Sequence, residues 1–412
     1  MNPFQLKPEK NTDQFMDWQR LYPRSYDKMA VDPYTRVRVI LMNGTEFEAA
    51  WYSHQFQRHE SNNDLRRELA MLRRQEQQQQ KKIACLKPMD ETVLEHTIGY
   101  EQLAVDLTAG LAQRVTCPNV KSALDFALLE DFDHLYRYAD LLEMEHGVYA
   151  EKLVGPYTEI MPGRPTISEH RCPMDALCPP GKPDAKLFDK MAVQIITAAE
   201  QQTMNYYMNV CNLYTSDLGR KLYQEIGMIE EQHVTQYGSL MDPGCTWLEG
   251  LLMHQYVEAY LYYSCMEDET DASVHKVWEE CFLIEVAHLH KAAELLKAYE
   301  KKDWQQVIPG GEFPEPFSFQ PQIDYVRSAL NMVEFTAEKE AFKPVNMLPK
   351  DYDFFVYQKA VNGNVEAVPS HQVIDRAIRL RGRDYRAETA PNPIAALQSR
   401  TQDNTSLGRM YQ

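Results

Sequence analysis

Residues 224–237 read QEIGMIEEQHVTQY, and the placing of Glu230 and His233 within them decides how the chain folds. Three residues apart, the two side chains lie on one face of a helix. Tyr223, Ile226, Val234 and Tyr237 share that face, so an acid and an imidazole sit inside an apolar stripe. Thirty residues upstream, Glu200 occupies the same situation among Val193, Ile196, Met204, Tyr207 and Cys211. A helical hairpin whose turn lies midway between two positions brings them to one height. Glu200, Glu230 and His233 therefore form a level of three ligand-type groups facing a core.

The pattern recurs twice. Glu258 is followed by Glu285 and His288, at a spacing of 27 residues, and Glu101 by Asp131 and His134, at a spacing of 30. Glu258 neighbours Leu251, Leu261, Tyr262 and Cys265; Glu285 and His288 neighbour Trp278, Phe282, Leu289, Ala292 and Leu296. Glu101 lies among Leu94, Ile98, Ala104 and Val105, and Asp131 and His134 among Leu124, Leu128, Leu135, Tyr138 and Leu142. Glu130 is an alternative to Asp131, although it lacks the three-residue spacing to His134. Burying an ionised carboxylate without a partner is costly, and several at one level repel one another and take up protons. Pairing with Arg or Lys is the plainer remedy. A divalent transition metal removes both problems at once, and mixed carboxylate and imidazole donors suit iron, manganese or zinc.

Around these levels the periodicity predicts six helices, over residues 90–113, 120–152, 184–214, 217–240, 246–267 and 272–301. Thr246-Trp-Leu-Glu249 is a capping box behind the breaker Asp242-Pro-Gly244. Short connections make three antiparallel hairpins, and a Pro-rich connection over 155–183 separates the first from the second. At the N-terminus, TRVRVILM (35–42), Asn43-Gly44 and TEFEAAWY predict a β-hairpin. A helix follows over 65–86, whose QEQQQQKK stretch reads as a solvated face. Three segments result: an α/β annex over 1–85, a helical bundle over 86–303, and a C-terminal part over 304–412 with one helix near 322–340 and an extended arm carrying the Arg-rich RAIRLRGRDYR.

A formal net charge of −17 argues against nucleic acid or anionic membranes as partners. No apolar run reaches the roughly 20 residues of a membrane span, and no signal core opens the chain, so a cytoplasmic location is expected. The eight cysteines form no CxxC pair. His170, Cys172 and Cys178 are too irregularly spaced for a metal site and read as a loop stapled by prolines. His254, one turn before Glu258, is an additional ligand candidate; His96 and His290 are peripheral.

Glu200 with Glu230-Glu-Gln-His233, and Glu258 with Glu285-Val-Ala-His288, resemble the ferritin-like di-iron and di-manganese carboxylate superfamily. Its members place a Glu on one helix and Glu-x-x-His on the next, twice over, in a four-helix bundle. The resemblance covers about residues 90–301, with Asp131 a departure from Glu. It implies two transition-metal ions, iron or manganese with zinc an alternative, and an oxidoreductase acting on oxygen or peroxide with an external electron donor, in a homodimer or larger oligomer. The alternative is a non-catalytic metal-binding or structural ferritin-like protein with a degenerate site. In the family, the second hairpin runs opposite to the first, setting the lone-Glu helices side by side. The connection 155–183 fits such a crossover between the first two hairpins, whereas ligand identity favours the second and third. Both pairings stay open, with a slight lean to the first, which leaves Glu258, Glu285 and His288 as a half-site.

Overall fold

The computed structural model describes residues 1–158, 160, 172–179, 186–330, 335–336, 343–344 and 347–383. It is mainly helical. The long helices are α1 (Pro33–His59), α2 (Asn63–Ala84), α3 (Val93–Ala112) and α4 (Pro118–His146), then, after the short α5 (Glu151–Val154), α6 (Leu187–Leu213), α7 (Asp217–Ser239), α8 (Trp247–Asp268) and α9 (Ala272–Leu295). Shorter helices follow: α10 (Ile323–Leu330), α11 (Asp353–Val361) and α12 (Pro369–Arg381). Among the described residues the strands are β1 (Phe335–Thr336) and β2 (Lys343–Pro344), paired antiparallel. No described helix is long and apolar enough to cross a membrane.

Local chemistry marks the helix starts. Thr92 and Glu95 form a capping box at α3, and Thr246 and Glu249 form the expected one at α8. The side chains of Asn62, Ser216 and Asp271 cap α2, α7 and α9.

The expected β-hairpin over residues 35–52 is instead the middle of α1. Asp32 accepts from the Tyr34 amide and Pro33 takes the first helical position, so the chain enters this stretch already helical. The alternation of Arg with Val over residues 36–39 has the period of a strand. Arg36, Val37, Arg38 and Val39 are in fact all buried. Arg36 Nε lies 3.0 Å from Glu91 Oε2, while Arg38 reaches Glu269 at 3.1 Å and Asp268 at 2.7 Å. Gly44 is no turn residue either. A Cβ there would stand 3.0 Å from Gln202 Cβ and 3.3 Å from the Ala198 carbonyl, so the glycine permits close approach of α6.

The described chain divides into two compact units. The first comprises Met1–Glu91, Lys190–Gln202 and Asp242–Phe319; the second comprises Thr92–Asp189, Thr203–Met241 and Gln320–Gln412. In the first, the hairpins α1–α2 and α8–α9 pack with α1 against α8 and α2 against α9. In the second, α3 packs on α4 and α4 on α7. The Pro-rich segment after α9 lies along α8, where the Tyr256 and Tyr260 hydroxyls donate to the Glu312 and Glu315 carbonyls. Of the C-terminal arm, α12 packs on α4 and α7 within the second unit, with Ser370 donating to Glu225 and Arg381 pairing with Asp140. The helix expected near 322–340 is α10 up to Leu330. Most of the 155–183 connection and the tail beyond 383, including the end of the Arg-rich patch, lie outside the described residues.

Arg38 gives a direct test of the ion-paired reading of α1. Burial alone would raise the Glu269 carboxyl, but the Arg38 guanidinium, with help from the Asp271 amide and Thr35 hydroxyl, holds it below its ordinary value. Arg38→Ala strands that carboxylate and is expected to cost about 3–5 kcal/mol at neutral pH in urea unfolding. A depressed folded pKa gives stability that is present above the unfolded pKa and lost as pH falls through the folded one. The gap between wild type and variant should therefore narrow on acidification below the usual carboxylate range. A variant of unchanged stability would refute the pairing.

Candidate metal centres

In the first unit, four carboxylates converge from four helices: Glu46 on α1, Glu76 on α2, Glu258 on α8 and Glu285 on α9. All are buried. Ligand-type atoms of Glu76, Glu285 and His288 lie within 4.8 Å of one another, as do those of Glu46, Glu76 and Glu258, so Glu76 belongs to both groups. His288 Nδ1 stands 3.1 Å from both Glu76 Oε1 and Glu285 Oε1. Its Nε2–H donates to Gln75 Oε1 at 2.8 Å, which fixes the ring with Nδ1 turned toward the carboxylates. Gln79 donates to Glu285 at 2.8 Å, Gln255 bridges Glu76 and Glu258, and the Tyr262 hydroxyl donates to Glu46.

The electrostatics of this level are those of crowded like charge. Burial, then Glu76, pushes the Glu46 and Glu258 carboxyls well above the carboxylate range, and Glu285 is raised by the same causes. Burial would raise Glu76 too, but His288 holds it low. Burial alone would depress His288, yet Glu285 and Glu76 push it up to about 10. Among the described residues, no Lys or Arg pairs with any of the four acids. No hydrogen-bond partner reaches Glu46 Oε2, Glu76 Oε2, Glu258 Oε1 or Glu285 Oε2 there either.

The second unit carries the other level. Glu101 on α3, His134 on α4 and Glu230 on α7 form one group; Asp131, Glu230 and His233 form another. Here Glu230 belongs to both. His134 Nδ1 lies 2.9 Å from Glu230 Oε1 and 3.9 Å from Glu101 Oε2. His233 Nδ1 lies 3.1 Å from Glu230 Oε2 and 3.4 Å from Asp131 Oδ1. Burial would raise the Glu230 carboxyl, but His134 and then His233 pull it far below the carboxylate range. The Tyr207 hydroxyl donates to Glu101. Burial, followed by Glu101, raises that phenol well above its ordinary value.

Glu130 has a different place from Asp131. It accepts from His233 Nε2–H at 2.7 Å, behind the ring and away from the groups that face Nδ1. It corresponds to Gln75 in the first unit, which also immediately precedes the acid of its helix.

All nine residues singled out in the sequence are buried, but they belong to two levels. Glu101, Asp131, His134, Glu230 and His233 come together in one, and Glu258, Glu285 and His288 in the other; Glu200 belongs to the part of α6 counted with the first unit. The donors beside the latter three come from α1 and α2 of the same chain. Glu46 and Glu76 were missed. Their signal was the same 30-residue interval, hidden by the hairpin reading of α1 and by the reading of QEQQQQKK as solvated, although Gln75, Glu76 and Gln79 are all buried. His254 joins neither group; its Nδ1–H donates to the Gly250 carbonyl and its ring stacks on Tyr52. His96 packs on Tyr100 and Tyr206, and His290 donates to the Pro3 carbonyl, both away from the two levels. His170 lies outside the described residues.

Compared with known protein families, curated proteins and solved structures, the chain matches none.

The places of Glu130 and Asp131 separate by metal titration against a competing chelator. Glu130→Ala releases the His233 ring without removing a donor, and is expected to weaken binding in the second unit about 10–100-fold. His233→Ala should remove it. Equal loss in the two variants would put Glu130 among the ligands.

Proposed function

We propose that this chain is a ferritin-like di-metal protein whose second unit holds two iron or manganese ions and acts as an oxidoreductase on oxygen or peroxide. The observation that carries this reading is Glu230, a buried carboxylate placed between two imidazole Nδ1 atoms and common to both donor groups. Such a carboxylate would be available to both groups of donors if metal were bound. Each group adds one imidazole and further carboxylate, a donor mixture that fits iron and manganese. Packing of α4 against α7 sets the Asp-x-x-His and Glu-x-x-His helices side by side, which supports the pairing of the first two sequence hairpins.

Bound metal would supply Lewis acidity and electrons for reduction of the oxidant. The chain's own residues set the conditions. Glu130 orients His233. Tyr207 anchors Glu101 through its hydroxyl and keeps its proton at the phenol oxygen. Tyr138 packs its ring 5.2 Å from Tyr207 and 4.9 Å from Tyr223, so a cluster of aromatic rings gathers beside Tyr207. Electrons would come from an external donor.

Protein stripped of metal and reloaded with ferrous or manganous ion is expected to turn over peroxide, or to consume oxygen with a reductant. His134→Ala and His233→Ala should each abolish that turnover. A loaded second unit inert toward both oxidants would instead favour the non-catalytic, structural reading.

A further inference from the structure

We propose that the first unit holds a second metal centre of different character, with one position served by imidazole and carboxylate and the other by oxygen donors alone, so that the latter takes a hard divalent cation, manganese(II). This goes beyond the reading of the second unit and does not rest on it.

Two independent observations point to a cation. Four buried carboxylates from four helices meet with no Lys or Arg partner among the described residues. Each also has one oxygen with no hydrogen-bond partner among the described residues, although all four are at least nine-tenths buried and their ligand-type atoms converge. Burying such atoms unsatisfied is unfavourable. The chain shows elsewhere in the same unit that it can supply cations to buried acids, since Arg36 meets Glu91 and Arg38 meets Glu269.

The inequality of the two positions follows from Gln79. In α4, α7 and α9 the residue three after the acid is His134, His233 or His288. In α2 it is Gln79, whose Nε2 donates to Glu285 instead of presenting a nitrogen lone pair. One donor group is therefore Glu76, Glu285 and His288, the other Glu46, Glu76 and Glu258. Carboxylate-only donors suit magnesium, calcium and manganese, whereas imidazole shifts preference toward iron, cobalt and zinc. Glu76 is common to both groups, as Glu230 is in the second unit.

The test uses full-length protein carrying His134→Ala and His233→Ala, with circular dichroism verifying the fold. Manganese(II) is titrated into metal-free protein, and free ion is followed by its electron paramagnetic resonance signal. Retention of bound manganese is expected. Adding Glu46→Gln or Glu258→Gln should remove the oxygen-only position and leave the His288 position. Gln79→His should keep the number of ions and raise preference for cobalt(II) over manganese(II) by about tenfold in competition. No manganese bound by the double variant overturns the proposal, as does indifference of the cobalt preference to Gln79→His. Should the double variant misfold, anomalous scattering from manganese-soaked crystals of the wild type decides. Density beside Glu76 supports the centre, and manganese confined to the second unit overturns it. Wild type with metal in both units yet inert to peroxide and oxygen would refute the function proposed above while leaving this centre standing.

Discussion

Buried carboxylates at a shared height are the constraint around which the rest of the chain is arranged. An ionised acid in an apolar stripe needs a compensating charge, and the helices around it have to deliver one from the correct direction. The chain uses two solutions. Glu91 and Glu269 receive arginines from α1 and become ordinary structural ion pairs. Among the described residues Glu46, Glu76, Glu258 and Glu285 receive none, and protons and one imidazole share the task of limiting their repulsion. That both solutions occur on the same helix, eight to ten residues apart on α1, shows that the unpaired acids do not reflect a shortage of cations.

The imidazoles are held as firmly as the acids. In each unit the side chain just before the acid of one helix accepts the Nε2–H of a histidine on the opposing hairpin: Gln75 for His288, Glu130 for His233. Adjacent helical residues point about 100° apart, so one residue can face the centre while its predecessor reaches behind the neighbouring ring. The consequence is a fixed Nδ1 direction in both places. The carboxylate at Glu130 strengthens the basicity of its histidine more than the neutral amide at Gln75 can.

Much of this was legible in the sequence because the acid-to-acid interval and the three-residue step to histidine are properties of helix geometry alone. The capping box at Thr246 and the nine singled-out acids and histidines were readable for that reason. Glu46 was not, because the alternation of Arg36 and Arg38 with Val37 and Val39 has the period of a strand, and only tertiary structure reveals that both arginines are buried with partners. Glu76 was not, because a run of glutamines gives no contrast between faces, whereas packing of α2 on α9 buries Gln75, Glu76 and Gln79 and leaves Arg74 exposed. The pairing of hairpins was ambiguous since connection length constrains which elements can meet without saying which do. Here α8–α9 finds its partner hairpin across the intervening α3 to α7, in α1–α2.

This order has a consequence for how the first unit assembles. Its two hairpins are separated in sequence by α3 to α7, so the contacts of α1 with α8 and of α2 with α9 close a long loop of chain. Loop closure costs entropy that grows only slowly with length, but it must be met before the contacts that reward it exist. In the second unit α4 and α7 meet over a shorter interval. The apolar faces of α8 and α9 can form their hairpin early, as can those of α1 and α2. The four acids, however, come together only when the two hairpins join. Repulsion at that level opposes the joining, most of all when all four are ionised, and a cation captured there acts on the very step that joins the two hairpins. Glu76, common to both donor groups, is the residue through which such a cation would couple the two hairpins.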